Sequence, residues 1–353
     1  MKAVLGRIQE PLLGKSLADL GWLQDLSLTA AGVLRVHITP GYAGAGAVLA
    51  PLMQAAVAGL GVGELQLDEK AVIPRAAPQG GLPALERVKN VIAVASGKGG
   101  VGKSTTAVNL ALALSAMGAK VGVLDADIYG PSQPMMLGLP AGTKPGVKDQ
   151  AWFLPVLAHG IEVMSIGFLL DSDSTPVVWR GPKATGALLQ LLTQTLWGDL
   201  DFLVVDMPPG TGDIALTLAQ KVPVAGAVIV STPQDIALLD AKKGIEMFRK
   251  VGIPVLGVVE NMALHVCSAC GHADAVFGEG GGERMAREYE TVLLGQLPLE
   301  RQIREQADGG RPTVVAAPDS PAAQHYFSIA RQTGAAVARL ARTDPKRINI
   351  VFE

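Results

Sequence analysis

Beyond residue 90 the chain is punctuated by short runs that carry almost no polar side chain: Val91 to Ala95, Val121 to Leu124, Leu203 to Val205, Ala227 to Val230 and Val255 to Val259. Runs of this length without alternation suit strands covered on both faces, the condition of a parallel sheet. Helical stretches lie between them, so the expected class is α/β, an open and mostly parallel sheet flanked by helices. Near the end, Ser320 and Pro321 form an N-cap and first-turn pair. The helix they open is expected to bury Phe327, Ile329, Val337 and Leu340. The first 67 residues follow another pattern. Gln24 to Thr29 and Val33 to Ile38 predict two strands around an Ala30-Ala31-Gly32 turn. A helix follows with Val48, Leu49, Leu52, Met53, Val57 and Leu60 on one face, then a strand from Val62 to Leu67. This reads as a small α+β domain over 1–67. A stretch with Pro74, Pro78, Gly80, Gly81 and Pro83 predicts a linker over 68–88. The larger domain then runs over 89–343, with a tail at 344–353. No internal repeat is present.

Composition narrows the class. The 353 residues are 49% apolar and 18% charged, enough to bury a large core. A net charge of −2 and only 4% aromatic residues argue against a nucleic-acid partner or an acidic membrane surface. The uncharged stretch Ile38 to Gly63 is rich in Gly and Ala and holds Pro40 and Pro51, which fits a packed helix better than a membrane span. Lys2, Arg7 and Glu10 leave no room for a signal-peptide core at the start. With two cysteines in all, a cytoplasmic protein is expected.

One loop carries clear chemistry. Gly97-Lys98-Gly99-Gly100-Val101-Gly102-Lys103-Ser104 matches G-x-x-x-x-G-K-[ST], with a predicted strand before it and a predicted helix from Lys103 to about Met117 after it. Glycines let backbone N–H groups curl around phosphates, and the helix N-terminus adds positive potential. Lys103 is expected to neutralise the β- and γ-phosphates of ATP, and the Ser104 hydroxyl to hold Mg²⁺. Asp206 closes the run Leu203-Val204-Val205 and is expected to bind Mg²⁺ directly or through water. The loop Pro208-Pro209-Gly210-Thr211-Gly212-Asp213 after it suits γ-phosphate sensing. Asp125 and Asp127 follow another strand. Strand-end capping is the plain reading for both, but beside a P-loop a nucleotide role is favoured for Asp127. Lys98 is not required by the basic motif. It is either a solvated loop charge or an extra cation that reaches a phosphate, as an arginine finger does in trans.

The cysteines form Cys267-Ser268-Ala269-Cys270, bracketed by His265 and His272. Four readings stay open: a zinc site from both cysteines and both histidines of one chain, a redox dithiol, an iron–sulfur cluster with two thiolates from each of two chains, or an inert pair. Spacing alone ranks zinc above the cluster.

Together these motifs resemble one family. The run Val94 to Thr105 resembles the deviant Walker A of the Mrp/ApbC iron–sulfur carrier ATPases, relatives of the bacterial division-site and plasmid-partition ATPases. Asp125-Ala126-Asp127-Ile128-Tyr129-Gly130-Pro131-Ser132, Trp179-Arg180-Gly181-Pro182, Asp206 to Asp213, Ser231-Thr232-Pro233-Gln234, Glu260-Asn261-Met262 with Cys267 and Cys270, and Phe277-Gly278-Glu279-Gly280-Gly281-Gly282 separate this family from those relatives. The resemblance spans about Lys89 to Leu340. The first domain, with Leu17-Ala18-Asp19-Leu20-Gly21, resembles the small domain that precedes the ATPase in many bacterial Mrp proteins. Some stand-alone relatives of that domain carry a cysteine after the second strand; here Gly41-Tyr42-Ala43 fill that loop, so no metal ligand is assigned to it.

The resemblance implies a homodimer. Lys98 then reaches the nucleotide of the opposite subunit, Asp127 positions the attacking water, and the P-loop through Thr105 together with Asn261 holds the nucleotide, Asn261 near the adenine. Cys267 and Cys270 of both chains hold a bridging [4Fe–4S] cluster, for exchange with apo iron–sulfur proteins and cluster-assembly scaffold proteins. This reverses the ranking of cluster and zinc. Ser268 stands where the family commonly has Pro, and Lys183 where Met often follows Gly-Pro. The rivals are a nucleotide-switched positioning or scaffold ATPase and a zinc-stabilised ATPase. Membrane-binding members of the former end in a basic amphipathic helix, which Asn349 to Glu353 does not resemble.

Overall fold

The structure, a computed structural model, describes residues 1–76, 82–169, 181–267 and 269–343. The expected tail, together with Trp179, Arg180 and Ser268, lies outside them. The first unit is a three-stranded sheet of β1 (Leu23–Leu28), β2 (Val33–Ile38) and β3 (Glu64–Glu69) in that spatial order. β1 and β2 are antiparallel, and β2 and β3 are parallel. The crossover from β2 to β3 contains α1 (Gly46–Val57). Leu49, Met53 and Val57, each four residues apart, are buried against Leu34, Val36 and Ile38. Leu52 and Leu60, expected on the same face, are exposed. The buried stripe is therefore narrower than the sequence suggested, because a three-stranded sheet can cover only one row of the helix.

The larger unit is an eight-stranded sheet. Its strands, in chain order, are β4 (Val88–Ala95), β5 (Val121–Asp125), β6 (Val156–Ala158), β7 (Ile161–Ser165), β8 (Leu200–Asp206), β9 (Val224–Ser231), β10 (Val255–Glu260) and β11 (Leu293–Gln296). The spatial order is β6-β7-β5-β8-β4-β9-β10-β11. All pairs are parallel except β6 with β7. Helices α2 (Lys103–Ala116), α3 (Gly181–Gln194), α4 (Asp213–Lys221), α5 (Asp235–Lys250), α6 (Gly281–Glu288) and α7 (Pro321–Thr343) connect and flank the strands. Every residue of β5 and β9 is buried, as both-face coverage requires. Ser320 caps α7 as expected, its Oγ accepting from the Ala323 amide at 3.2 Å. Ile329 and Val337 are buried, and Phe327 and Leu340 are packed at the edge of the same core.

β3 runs to Glu69, two residues into the expected linker, and residues 70–76 are pinned rather than free. The Val72 amide donates to Pro40 carbonyl at 2.8 Å, and the Ala76 amide donates to Asn90 Oδ1 at 2.8 Å. Asn90 Nδ2 donates back to Pro74 carbonyl at 2.9 Å. The first unit also seats on α7: Ala335 belongs to its core, and Gly41 faces Ala338. The described residues contain no helix long and apolar enough to cross a membrane.

Candidate nucleotide and thiolate sites

β4 delivers the chain into the glycine-rich loop at the carboxyl end of the sheet, and α2 opens at Lys103 directly after it. Gly100 and Gly102 have φ of 81° and 83°, a backbone that side-chain-bearing residues adopt only under strain. Gly97 is glycine for a different reason: a Cβ there would collide with the backbone of Asp240 in α5. The loop is clamped from below. Ser96 Oγ donates to the Lys98 carbonyl at 2.9 Å, and the Gly210 amide donates to the Ser96 carbonyl at 2.8 Å. This second bond ties the loop to the 208–213 segment expected to sense phosphate.

Beneath the loop, Lys103 meets carboxylates from two neighbouring strands. Its Nζ lies 2.6 Å from Asp206 Oδ1 and 3.5 Å from Asp127 Oδ2, and it donates to Ser104 Oγ at 3.1 Å. Asp206 closes β8 beside Asp125, which closes β5. Two carboxylates thus contact one ammonium group, with buried Asp125 close by, and the excess negative charge suits a divalent cation. Burial pushes Asp125 and Asp127 above the ordinary carboxylate range; nearby Asp206 adds to this, and Lys103 opposes it. Ser104 and Asp206 are the oxygen donors expected for Mg²⁺, and the structure brings them to the same lysine.

The two aspartates after β5 have separate roles. Asp125 accepts from the amides of Asp127 (3.2 Å), Ser132 (3.0 Å) and Gln133 (3.1 Å), and from Ser165 Oγ (3.0 Å). It shapes the loop, the plain capping role. Asp127 reaches Lys103 with one oxygen, while its Oδ1 is buried without a partner among the described residues. Sequence reasoning missed Gln133 and Ser165, which come to this site only through the tertiary fold.

Asn261 follows β10. Its Nδ2 donates to the Val101 carbonyl at 2.9 Å, and a Cβ on Gly102 would collide with that nitrogen. Its amide nitrogen therefore braces the P-loop backbone. Gly99 has open space around its Cα, and Val101 is buried. The Thr105 carbonyl accepts from Asn109 within α2 at 3.0 Å.

Six residues beyond Asn261 the chain presents the cysteines. Met262, at φ 58°, turns it into a two-residue-per-arm hairpin of His265–Val266 and Ala273–Asp274. The Cys267 amide donates to the His272 carbonyl (2.9 Å), and the Gly271 amide to the Cys267 carbonyl (2.8 Å). Gly271 has φ 72°. Backbone N–H groups of Ala269 and Cys270 point at the Cys267 sulfur and hold its thiol below the usual range. Such N–H groups favour thiolate, the form that ligates metal. Cys267 is half-buried and Cys270 exposed. His265 Nδ1 is 3.0 Å from the Leu299 carbonyl. Among the described residues no three His, Cys, Asp or Glu side chains are gathered to hold a metal, so the four-ligand zinc site within one chain is not assembled.

Known proteins match this architecture. Residues 87–333 match the family described as NUBPL iron-transfer P-loop NTPase, and residues 1–66 match the family described as iron-sulfur cluster assembly protein. An iron-sulfur cluster carrier protein of Pseudomonas fragi is 63% identical over 284 residues, which are 80% of this chain and 99% of that one. One of Synechocystis is 45% identical over 344 residues, 96% of this chain and 97% of its own. A solved nucleotide-binding protein from Archaeoglobus fulgidus, in complex with ADP, superposes with a TM-score of 0.60 at 41% identity, over 69% of this chain and 94% of that one. A P-loop under a mostly parallel sheet, a Cys-x-x-Cys hairpin beside it, and these matches agree: the chain belongs to the NUBPL iron-transfer P-loop NTPase family.

Proposed function

We propose that the protein is an ATP-dependent iron–sulfur cluster carrier that holds a [4Fe–4S] cluster between two copies of itself and passes it to apo-proteins, after receiving it from assembly scaffold proteins. One observation carries this reading. Cys267 and Cys270 sit at the tip of a hairpin whose amides favour the Cys267 thiolate, yet among the described residues no further metal-ligating side chains gather with them. A [4Fe–4S] cluster takes four thiolates, so a second copy completes the set. Leu264, Val266 and Val276 around the cysteines are exposed apolar residues suited to being covered by that copy. The scaffold-ATPase reading gives these features no work. Cytoplasmic thiols stay reduced, which suits free ligands waiting for cargo.

The P-loop reads as the motor. ATP would take Lys103 from Asp206 to its phosphates, leaving Asp206 and Ser104 Oγ as the groups that hold Mg²⁺. The bound ion neutralises phosphate charge. Asp127, its free oxygen buried beside Lys103, orients the attacking water. Lys98, half-buried in the same loop, supplies charge to the nucleotide of the second copy. Turnover is slow, because half of the phosphate-neutralising set waits for dimer contact. Asn261 links the two sites: it braces the P-loop and begins the segment that ends in Cys267.

Anaerobic reconstitution with iron and sulfide tests the cargo. Wild type is expected to gain a broad absorbance near roughly 400 nm, the signature of thiolate-bound clusters. The double variant Cys267→Ala, Cys270→Ala is expected to lose it while keeping nucleotide binding. Equal absorbance in both proteins would rule the assignment out.

A further inference from the structure

Gln133 follows the DADIYGPS segment, and no motif assigns it a role. Its side chain is fully buried. Its Nε2 donates to the Ser104 carbonyl at 3.0 Å and to Asp206 Oδ2 at 2.9 Å. Both partners are acceptors only, so the amide nitrogen must face them and the orientation of the group is fixed. Its backbone is fixed too, since its N–H donates a hydrogen bond to Asp125 Oδ2. Among the described residues no donor reaches the amide oxygen, which is left buried. A buried acceptor in that condition is destabilising unless a bound group supplies a donor.

The two oxygens of Asp206 are divided. Oδ1 is held by Lys103 and Oδ2 by Gln133. When Lys103 turns to a phosphate, Oδ1 is released but Oδ2 remains tied. The same amide nitrogen is anchored on the Ser104 backbone, so one side chain cross-links the two residues that offer oxygen to a metal. Magnesium keeps several of its waters when bound by protein, and each of those waters needs an acceptor. We propose that Gln133 is a positioning residue for Mg²⁺: its amide nitrogen sets the rotation of the Asp206 carboxylate, and its amide oxygen accepts a hydrogen bond from a water on the ion. This rests on the Mg·ATP reading of the P-loop given above.

Calorimetric titration of the intact protein with a non-hydrolysable ATP analogue, in EDTA and across a Mg²⁺ series, separates the possibilities. Gln133→Met keeps the volume and removes both polar atoms. It is expected to bind the analogue in EDTA within about twofold of wild type. Its half-saturating Mg²⁺ is expected to rise about 10–100-fold, the range for loss of a group that orients a metal ligand. Should that variant not fold, Gln133→Asn, one methylene shorter, is expected to show the same rise. An unchanged Mg²⁺ requirement in a folded variant overturns the inference. An equal loss of affinity with and without Mg²⁺ also overturns it, because Gln133 then only shapes the pocket. A wild type that binds no nucleotide overturns instead the ATPase reading on which the inference stands.

Discussion

Lys98 and Lys103 are five residues apart in the P-loop motif and differ in burial. Lys103 is nearly inaccessible and already neutralises two carboxylates, so its removal would strand buried charge and confuse folding with function. Lys98 is half-buried and less enclosed than Lys103, so it is the cleaner probe. Lys98→Ala is expected to leave thermal stability within about 0.5 kcal/mol, as surface changes do. It is expected to retain ATP binding and to lower hydrolysis about 10³-fold or more, the range for removal of a finger in trans. Steady-state phosphate release and calorimetry check both halves. Unchanged turnover would return Lys98 to a solvated loop charge. At this scale the glycines and Lys103 were legible in the sequence because their chemistry is local: it lies in backbone shape and one helix terminus. Gln133 was not. A glutamine buried on Asp206, 73 residues away in the chain, looks like any loop glutamine until β5 and β8 lie side by side. The sequence placed Asn261 near the adenine through its family resemblance; its bond to the Val101 carbonyl was not legible there.

Elements follow the same rule. Strands β4, β5, β8, β9 and β10 stand out in the sequence because they are buried on both faces and carry unbroken apolar runs. β7 was missed because Glu162 interrupts it; the fold tolerates that carboxylate by having it accept from the Gly198 amide at 2.9 Å. β11 is four residues with a glycine and a glutamine, too short to register as a pattern. α1 was found, but its buried side was drawn too wide. Met53→Ala is expected to destabilise the protein by about 2–5 kcal/mol, the cost of emptying a buried site. Leu52→Ala, one residue earlier on the exposed side, is expected to change stability by about 0.5 kcal/mol or less. Urea unfolding followed by far-ultraviolet dichroism reads both; equal losses would contradict the burial assigned to this helix.

For the whole molecule, the arrangement separates support from chemistry. The N-terminal unit meets α7 and the far end of α2, where a Cβ on Gly44 would collide with Met117. The P-loop lies at the opposite end of α2, about 21 Å away along 14 residues of helix. Tyr42, in the loop where some relatives of this unit carry cysteine, is buried and donates to Glu10 Oε1 at 2.6 Å. That loop is spent on packing. The two cysteines instead follow Asn261, which braces the P-loop, by one short segment. The central claim is therefore about stoichiometry across two chains. Native mass spectrometry of the anaerobically reconstituted protein, with iron, sulfide and zinc analysis of the same sample, tests it most directly. The account predicts a dimer carrying about four iron and four sulfide, about two of each per chain, and no zinc. A metal-loaded monomer, or a dimer holding one zinc per chain and no sulfide, would contradict it.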